Sequence, residues 1–198
     1  MRFTRSTHQR SRRTFAAVAL IVGTLTLAPS AQTPLARPER FSALAIPPRA
    51  DFSPVQVDLV VTRWSTDQEH DRLITTLTES GSKAFEKVLM DLPRVGSFGA
   101  VGMAGLPIRY ARKWKGDDGR ERISMATDRW VGFYEAVNQA RTLDYPVTWI
   151  QMVLKPSGEG EGTIALAAKV GIDRPTKLIV VENYDIAPIK LNAVRRLR

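Results

Sequence analysis

Cysteine is absent from the 198-residue chain. That excludes disulfides, thiol catalysis, Cys-ligated zinc, iron–sulfur clusters and a lipid anchor on an acylated cysteine. Histidine is nearly absent: His8 and His70 are the only two. A metal site built from several imidazoles of one chain is therefore ruled out. Long apolar runs are missing as well. Phe15 to Ala28 is the most apolar stretch, and it falls short of the roughly 20 residues that a membrane-spanning helix needs.

Acid is missing from the start of the chain. Residues 1–31 hold Arg2, Arg5, Arg10, Arg12 and Arg13 and no Asp or Glu. A basic segment, a short apolar run and the small residues of Ala28-Pro29-Ser30-Ala31 have the layout of an export signal. Ser11-Arg12-Arg13-Thr14-Phe15 also resembles the opening of a twin-arginine signal, with Ala16 and Ala17 where Leu and Lys usually follow; an ordinary Sec signal is the favoured route. The expected address is periplasmic or extracellular. The formal net charge is +9, but taking those five arginines from the 29 basic residues leaves 24 against 20 acidic ones, an excess of four. So small an excess argues against a nucleic-acid partner.

Residues 32–54 contain Pro34, Pro38, Pro47, Pro48 and Pro54. They read as a linker or an extended arm. A single domain is then expected over 55–198. Val55, Val57, Leu59 and Val61 alternate with Gln56, Asp58, Val60 and Thr62, which is a strand. Ser65 and Thr66 are both candidate helix caps, with Gln68 and Glu69 three residues on at capping-box spacing. Leu73, Ile74, Leu77, Phe85, Val88, Leu89 and Leu92 keep helical spacing up to Pro93. Ser80-Gly81-Ser82 interrupts them, so the spacing predicts a kink or two helices over 67–79 and 82–91.

Gly96, Gly99, Gly102 and Gly105 read as a turn-rich loop. They lack the Lys-Ser/Thr pair and the following helix of a phosphate loop, and no other cofactor motif is present. Ile108–Lys115 and Glu121–Asp128 form a hairpin across Gly116-Asp117-Asp118-Gly119, whose residues favour tight turns. Residues 130–140 read as a short helix. The last third reads as four antiparallel strands, 147–155, 163–172, 177–184 and 188–196, joined by turns too short for crossover helices. Several are apolar on both faces, so a helix must cover the sheet or the sheet must curl. The expected fold is α+β: an antiparallel sheet of about seven to eight strands, ending in a four-strand meander and free to curl into an open barrel, with one kinked and one short helix packed on it.

Arg63-Trp64-Ser65-Thr66-Asp67, Ala126-Thr127-Asp128-Arg129, Phe133-Tyr134-Glu135-Ala136-Val137-Asn138 and Glu182-Asn183-Tyr184 resemble segments of a group of exported bacterial proteins of unknown function. The resemblance spans about residues 55–196. It implies export and a common fold, and no activity.

Few residues offer chemistry. His70, between Glu69 and Asp71, reads as an exposed helix residue. The hairpin carries Arg109, Arg112, Lys113, Lys115, Arg120 and Arg122, and alternation places Tyr110 and Trp114 on one face with Ile108 and Arg112. This is either a solvated face or a patch for an anionic partner, with Arg109, Arg112 and Trp114 as its candidate contacts. Asp128, Arg129, Trp130 and Glu135 form a second candidate site. Read as structure, Asp128 caps the short helix and Trp130 enters the core. Read as an enzyme, Asp128 and Glu135 are the two carboxylates of a glycosidase-like hydrolase. Asp117, Asp118, Glu159 and Glu161 lie in turns without EF-hand spacing. The favoured expectation is an exported, non-catalytic domain without metal or cofactor, binding a small apolar ligand, an envelope component or a protein. The carboxylate-dependent hydrolase is the alternative. If the export reading holds, N-terminal sequencing of exported protein finds a first residue between Ser30 and Thr33; residues 1–28 retained on soluble protein would refute it.

Overall fold

The computed structural model of the protein describes residues 35–48, 52–127, 147–184 and 187–197. The described chain forms ten strands and one helix. In order these are β1 (Glu39–Ile46), β2 (Val55–Val61), α1 (Asp67–Asp91), β3 (Gly96–Ala100), β4 (Leu106–Ile108), β5 (Tyr110–Lys115), β6 (Glu121–Thr127), β7 (Val147–Leu154), β8 (Glu159–Asp173), β9 (Leu178–Tyr184) and β10 (Ile189–Leu197). Every pairing is antiparallel. The sheet runs β4-β3-β2-β1-β10-β8-β7-β6-β5, with β9 also on β8.

The two ends of that path are consecutive pieces of one segment. β4 pairs with β3 and β5 pairs with β6, and only Arg109 separates β4 from β5. The Val95 amide donates to the Ile108 carbonyl at 2.8 Å, and the Arg109 amide donates to the Ala126 carbonyl at 2.9 Å. One stretch thus touches both ends of the sheet, which curls into a nearly closed barrel. Alternation then divides the side chains into two cores. Phe41, Leu59, Phe98, Ile123, Ile150 and Leu191 belong to the inner one. Leu73, Phe85 and Leu89 of α1 join Tyr110, Trp149, Ala165 and Ile179 in an outer one. The bend at Arg109 sets Ile108 in the inner core and Tyr110 in the outer core, so the two do not share a face.

The expected α+β barrel with a helix packed on it is present, with more strands than the sequence suggested. Part of the surplus comes from residues read as a linker. β1 lies between β2 and β10, and Phe41, Ala43 and Ala45 are fully buried. Its apolar residues fall on both faces, which hides the period of two, and the prolines around it draw attention to its flanks. Gly96–Ala100 is likewise a strand and not a loop.

The helix begins at the second of its two candidate caps. The Thr66 side chain accepts from the Glu69 amide, and the Glu69 carboxylate accepts from the Thr66 amide. Gly81, at φ 75°, breaks the helical geometry at the expected place, in a conformation other residues avoid. The final meander differs in one joint. β9 and β10 do not pair with each other. Both lie along the same edge of β8, Leu178–Tyr184 against Ala168–Asp173 and Ile189–Arg195 against Glu159–Ile164. They act as one interrupted strand; Pro188 at the interruption has no amide hydrogen to offer a ladder. The expected helix over 130–140 lies outside the described residues.

Phe41 tests the place of β1. Phe41→Ala should lower stability by about 3–5 kcal/mol, the usual cost of emptying a buried aromatic site, read by urea denaturation. A loss under about 0.5 kcal/mol, typical of an exposed position, would return residues 39–46 to the status of an arm.

Candidate functional site

The β5–β6 turn is organised by one carboxylate. Asp118 accepts from the Arg120 amide at 3.1 Å, from Arg120 Nε at 2.7 Å, and from Arg122 Nη1 and Nη2 at 2.8 and 3.1 Å. The hydrogen bonds from Arg122 and Arg120 hold its pKa well below the usual carboxylate range. Gly116 makes room for this fork: a Cβ there would meet Arg122 Nη1 at 1.6 Å.

Beside the turn, a second carboxylate gathers the end of the barrel. Glu39, at the start of β1, accepts from Trp64 Nε1 at 3.1 Å and from Lys113 Nζ at 2.6 Å. Arg196 Nε approaches its other oxygen at 3.5 Å. Arg196 also pairs with Glu121 and lies 5.3 Å over the Phe41 ring. Lys113 lies 4.6 Å over the Trp64 ring. Charged groups thus close the apolar interior at this rim, with their stems or planes against aromatic faces.

Two clefts open here. One, of about 440 Å³, lies between the β5–β6 hairpin and the β7–β8 turn. Lys113, Trp114, Lys115, Gly119, Glu121, Lys155, Pro156 and Arg196 line it. The second, of about 400 Å³, is lined by Arg120, Val153, Lys155, Glu159, Gly160, Glu161 and residues 193–195. Lys155 borders both. Lys115 and Lys155 have no ion-pair partner among the described residues.

Of the residues singled out in the sequence, Trp114 is in the first cleft. Arg109 and Arg112 are elsewhere. Arg109 donates to the Leu92 carbonyl at 3.0 Å, at the end of α1. Arg112 pairs with Asp67 at 3.0 Å, at its start. Arg109 is thus tied to the end of the helix and Arg112 to its start. Asp128, Arg129, Trp130 and Glu135 lie outside the described residues. Glu39, Lys155 and Arg196 were missed. Glu39 lay in the supposed linker, and Lys155 and Arg196 stand at strand ends, where alternation gives no facing. Among the described residues no group of three or more His, Asp or Glu side chains is placed to hold a metal ion.

His70 corrects the sequence reading most plainly. It is buried, 4% exposed. Nδ1 lies 3.0 Å from the Tyr110 hydroxyl and Nε2 lies 2.9 Å from the Lys177 carbonyl. A carbonyl only accepts, so Nε2 carries the hydrogen and Nδ1 accepts from Tyr110. The imidazole stacks on Tyr110 with centroids 6.0 Å apart, and Tyr110 stacks on Trp149 at 5.7 Å. The period of α1 put His70 beside Leu73 on the buried stripe, but its acidic neighbours suggested solvent. Burial, and then Arg112, lower its pKa, outweighing the Lys177 carbonyl, Asp71 and Asp67, which raise it. Burial raises the Tyr110 pKa.

Comparison of the chain with protein-family models, with curated proteins and with solved structures gave no match.

His70 gives a pH prediction with a definite sign. Its pKa is lower in the folded state than the ordinary 6.5. The unfolded chain therefore binds the proton more readily. The contribution is fully present above pH 6.5 and is lost as pH falls from there toward the folded pKa. Melting temperature should fall between about pH 7.5 and 5.5 more steeply for the native protein than for His70→Gln. Parallel curves would show that the imidazole is not held neutral.

Proposed function

We propose that the protein is an exported, non-catalytic binding domain, and that its ligand carries an anionic group seated beside Trp114. The carrying observation is the lining of the first cleft: Lys113, Lys115, Lys155 and Arg196 against one carboxylate, Glu121, which Arg196 already pairs. Trp114 and Pro156 add an apolar wall. Two of the four cations lack an ion-pair partner among the described residues, so an incoming anion meets charge that no internal bridge has neutralised.

A small apolar ligand has less support. The inner core is filled by buried side chains from the strands around it, as expected of a barrel of this strand number. Recognition is thereby moved to the rim, where the available groups are ionic. An acidic envelope component is the partner class that agrees with both this rim and the signal-like segment 1–31.

Calorimetric titration of the full chain with galacturonate and with inorganic phosphate is the test. At least one should bind, with affinity falling about threefold to fivefold in Lys155→Ala or Lys115→Ala, each a surface change of small effect on melting temperature. Raising the salt to about 0.5 M should weaken binding further, because exposed pairs are screened. Heat signals that neither lysine change alters would refute this assignment, as would the failure of both anions to bind.

A further inference from the structure

We infer that the two rim clefts form a single track for a linear acidic polysaccharide. This rests on the anion-binding role proposed for the first cleft and extends it. The two clefts are of similar volume, about 440 and 400 Å³, and both are bordered by Lys155. They also meet at the β5–β6 turn, where Gly119 lines one and Arg120 the other. A ligand confined to one cleft would leave Arg195 beyond the first, and Trp114 and Lys115 beyond the second. A chain laid across Lys155 meets all of them.

The chemistry of the second cleft selects the polymer. Arg120, Lys155 and Arg195 stand there beside Glu159 and Glu161. The two glutamates have no ion-pair partner among the described residues. A phosphodiester chain, with a full charge on every unit, would be repelled by them. A saccharide with spaced carboxylates is not: its hydroxyls donate to Glu159 and Glu161 while its carboxylates meet the cations. The half-buried Trp114 and the adjoining Pro156 offer a flat apolar surface to a pyranose ring.

The backbone of the second cleft is also unusual. Ala193, which lines it, has φ 49°, inside a bulge where β10 slips register against both β1 and β8. A non-glycine residue in that region is disfavoured. Such bulges occur at barrel rims and beside sites, where they re-aim the residues that follow. Here those residues are Val194, buried in the inner core, and Arg195, at the cleft.

Calorimetry of the full chain with galacturonate oligomers of increasing length tests the track. Affinity should rise about tenfold or more from monomer to hexamer, because the second cleft is engaged at high effective concentration. Arg195→Ala, which touches only the second cleft, should remove most of that rise and leave the monomer unchanged. Trp114→Ala should weaken both lengths. Equal affinity for monomer and hexamer, or an Arg195→Ala effect on both, would overturn the track while leaving the first cleft an anion site. Loss of monomer binding altogether would overturn the earlier assignment instead. Tighter binding of a single-stranded oligothymidylate of matched length would overturn the polysaccharide in favour of nucleic acid.

Discussion

Five consecutive residues, Arg63 to Asp67, at the passage from β2 into α1 fix how the barrel and the helix meet. Arg63 forks onto Glu69 at 2.9 and 2.8 Å. Trp64 donates to Glu39 at the start of β1. Ser65 bonds to β5 through both its groups: its amide donates to the Ala111 carbonyl at 2.8 Å, and its hydroxyl accepts from the Ala111 amide at 3.1 Å. Thr66 caps the helix. Asp67 pairs with Arg112 on β5. A connection this short, committed at each residue to a different partner, leaves α1 little freedom of direction. Burial alone would raise the Glu69 pKa, but bonds from Arg63 and the Thr66 amide hold it below its usual value. The carboxylate therefore stays charged where it caps the helix and anchors Arg63.

From that joint the helix can only lie over the outside of β5 to β9. Its buried positions, Leu73, Phe85 and Leu89, meet Trp149, Val170 and Ile179 there. Each such side chain contributes roughly 1.5–3 kcal/mol when removed from water, so the outer core is a substantial part of the fold. It also covers polar groups. Buried polar atoms normally have partners, and His70 supplies them for Tyr110 and Lys177 at once. A helix on this face needs a polar link through its apolar stripe, and a neutral imidazole with one donor and one acceptor provides it.

Legibility in the sequence followed the strength of the local signal. The capping box, the break at Gly81, the β5–β6 hairpin and the turn residues around the last strands are local features, each determined by a few neighbours. They were readable. β1 was not, because both of its faces carry apolar residues and its identity depends on β2 and on β10, which lies about 150 residues later. His70 was not, because its partners come from Tyr110 and Lys177, distant in sequence. The rim was half readable: the hairpin cations and Trp114 stood out by composition, but Glu39, Lys155 and Arg196 converge only once the sheet has curled. The same curl separated Ile108 from Tyr110, since a bend at one residue reverses which face the next presents.

The ionic rim also limits what the clefts can hold. Lys113 and Arg196 are engaged by Glu39, and Arg196 by Glu121 as well. An anion approaching them must compete with carboxylates already in place, and it gains little from cations whose charge is largely met. Lys115 and Lys155 remain, on flexible stems that lose rotamer freedom when they are fixed. Exposed pairs of this kind contribute up to about 1 kcal/mol each. One anionic group is therefore held weakly, and useful affinity requires several contacts on one ligand. On the proposed anion-binding reading, the internal bridges that close the barrel end favour an extended partner with repeated charges over a compact one with a single charge.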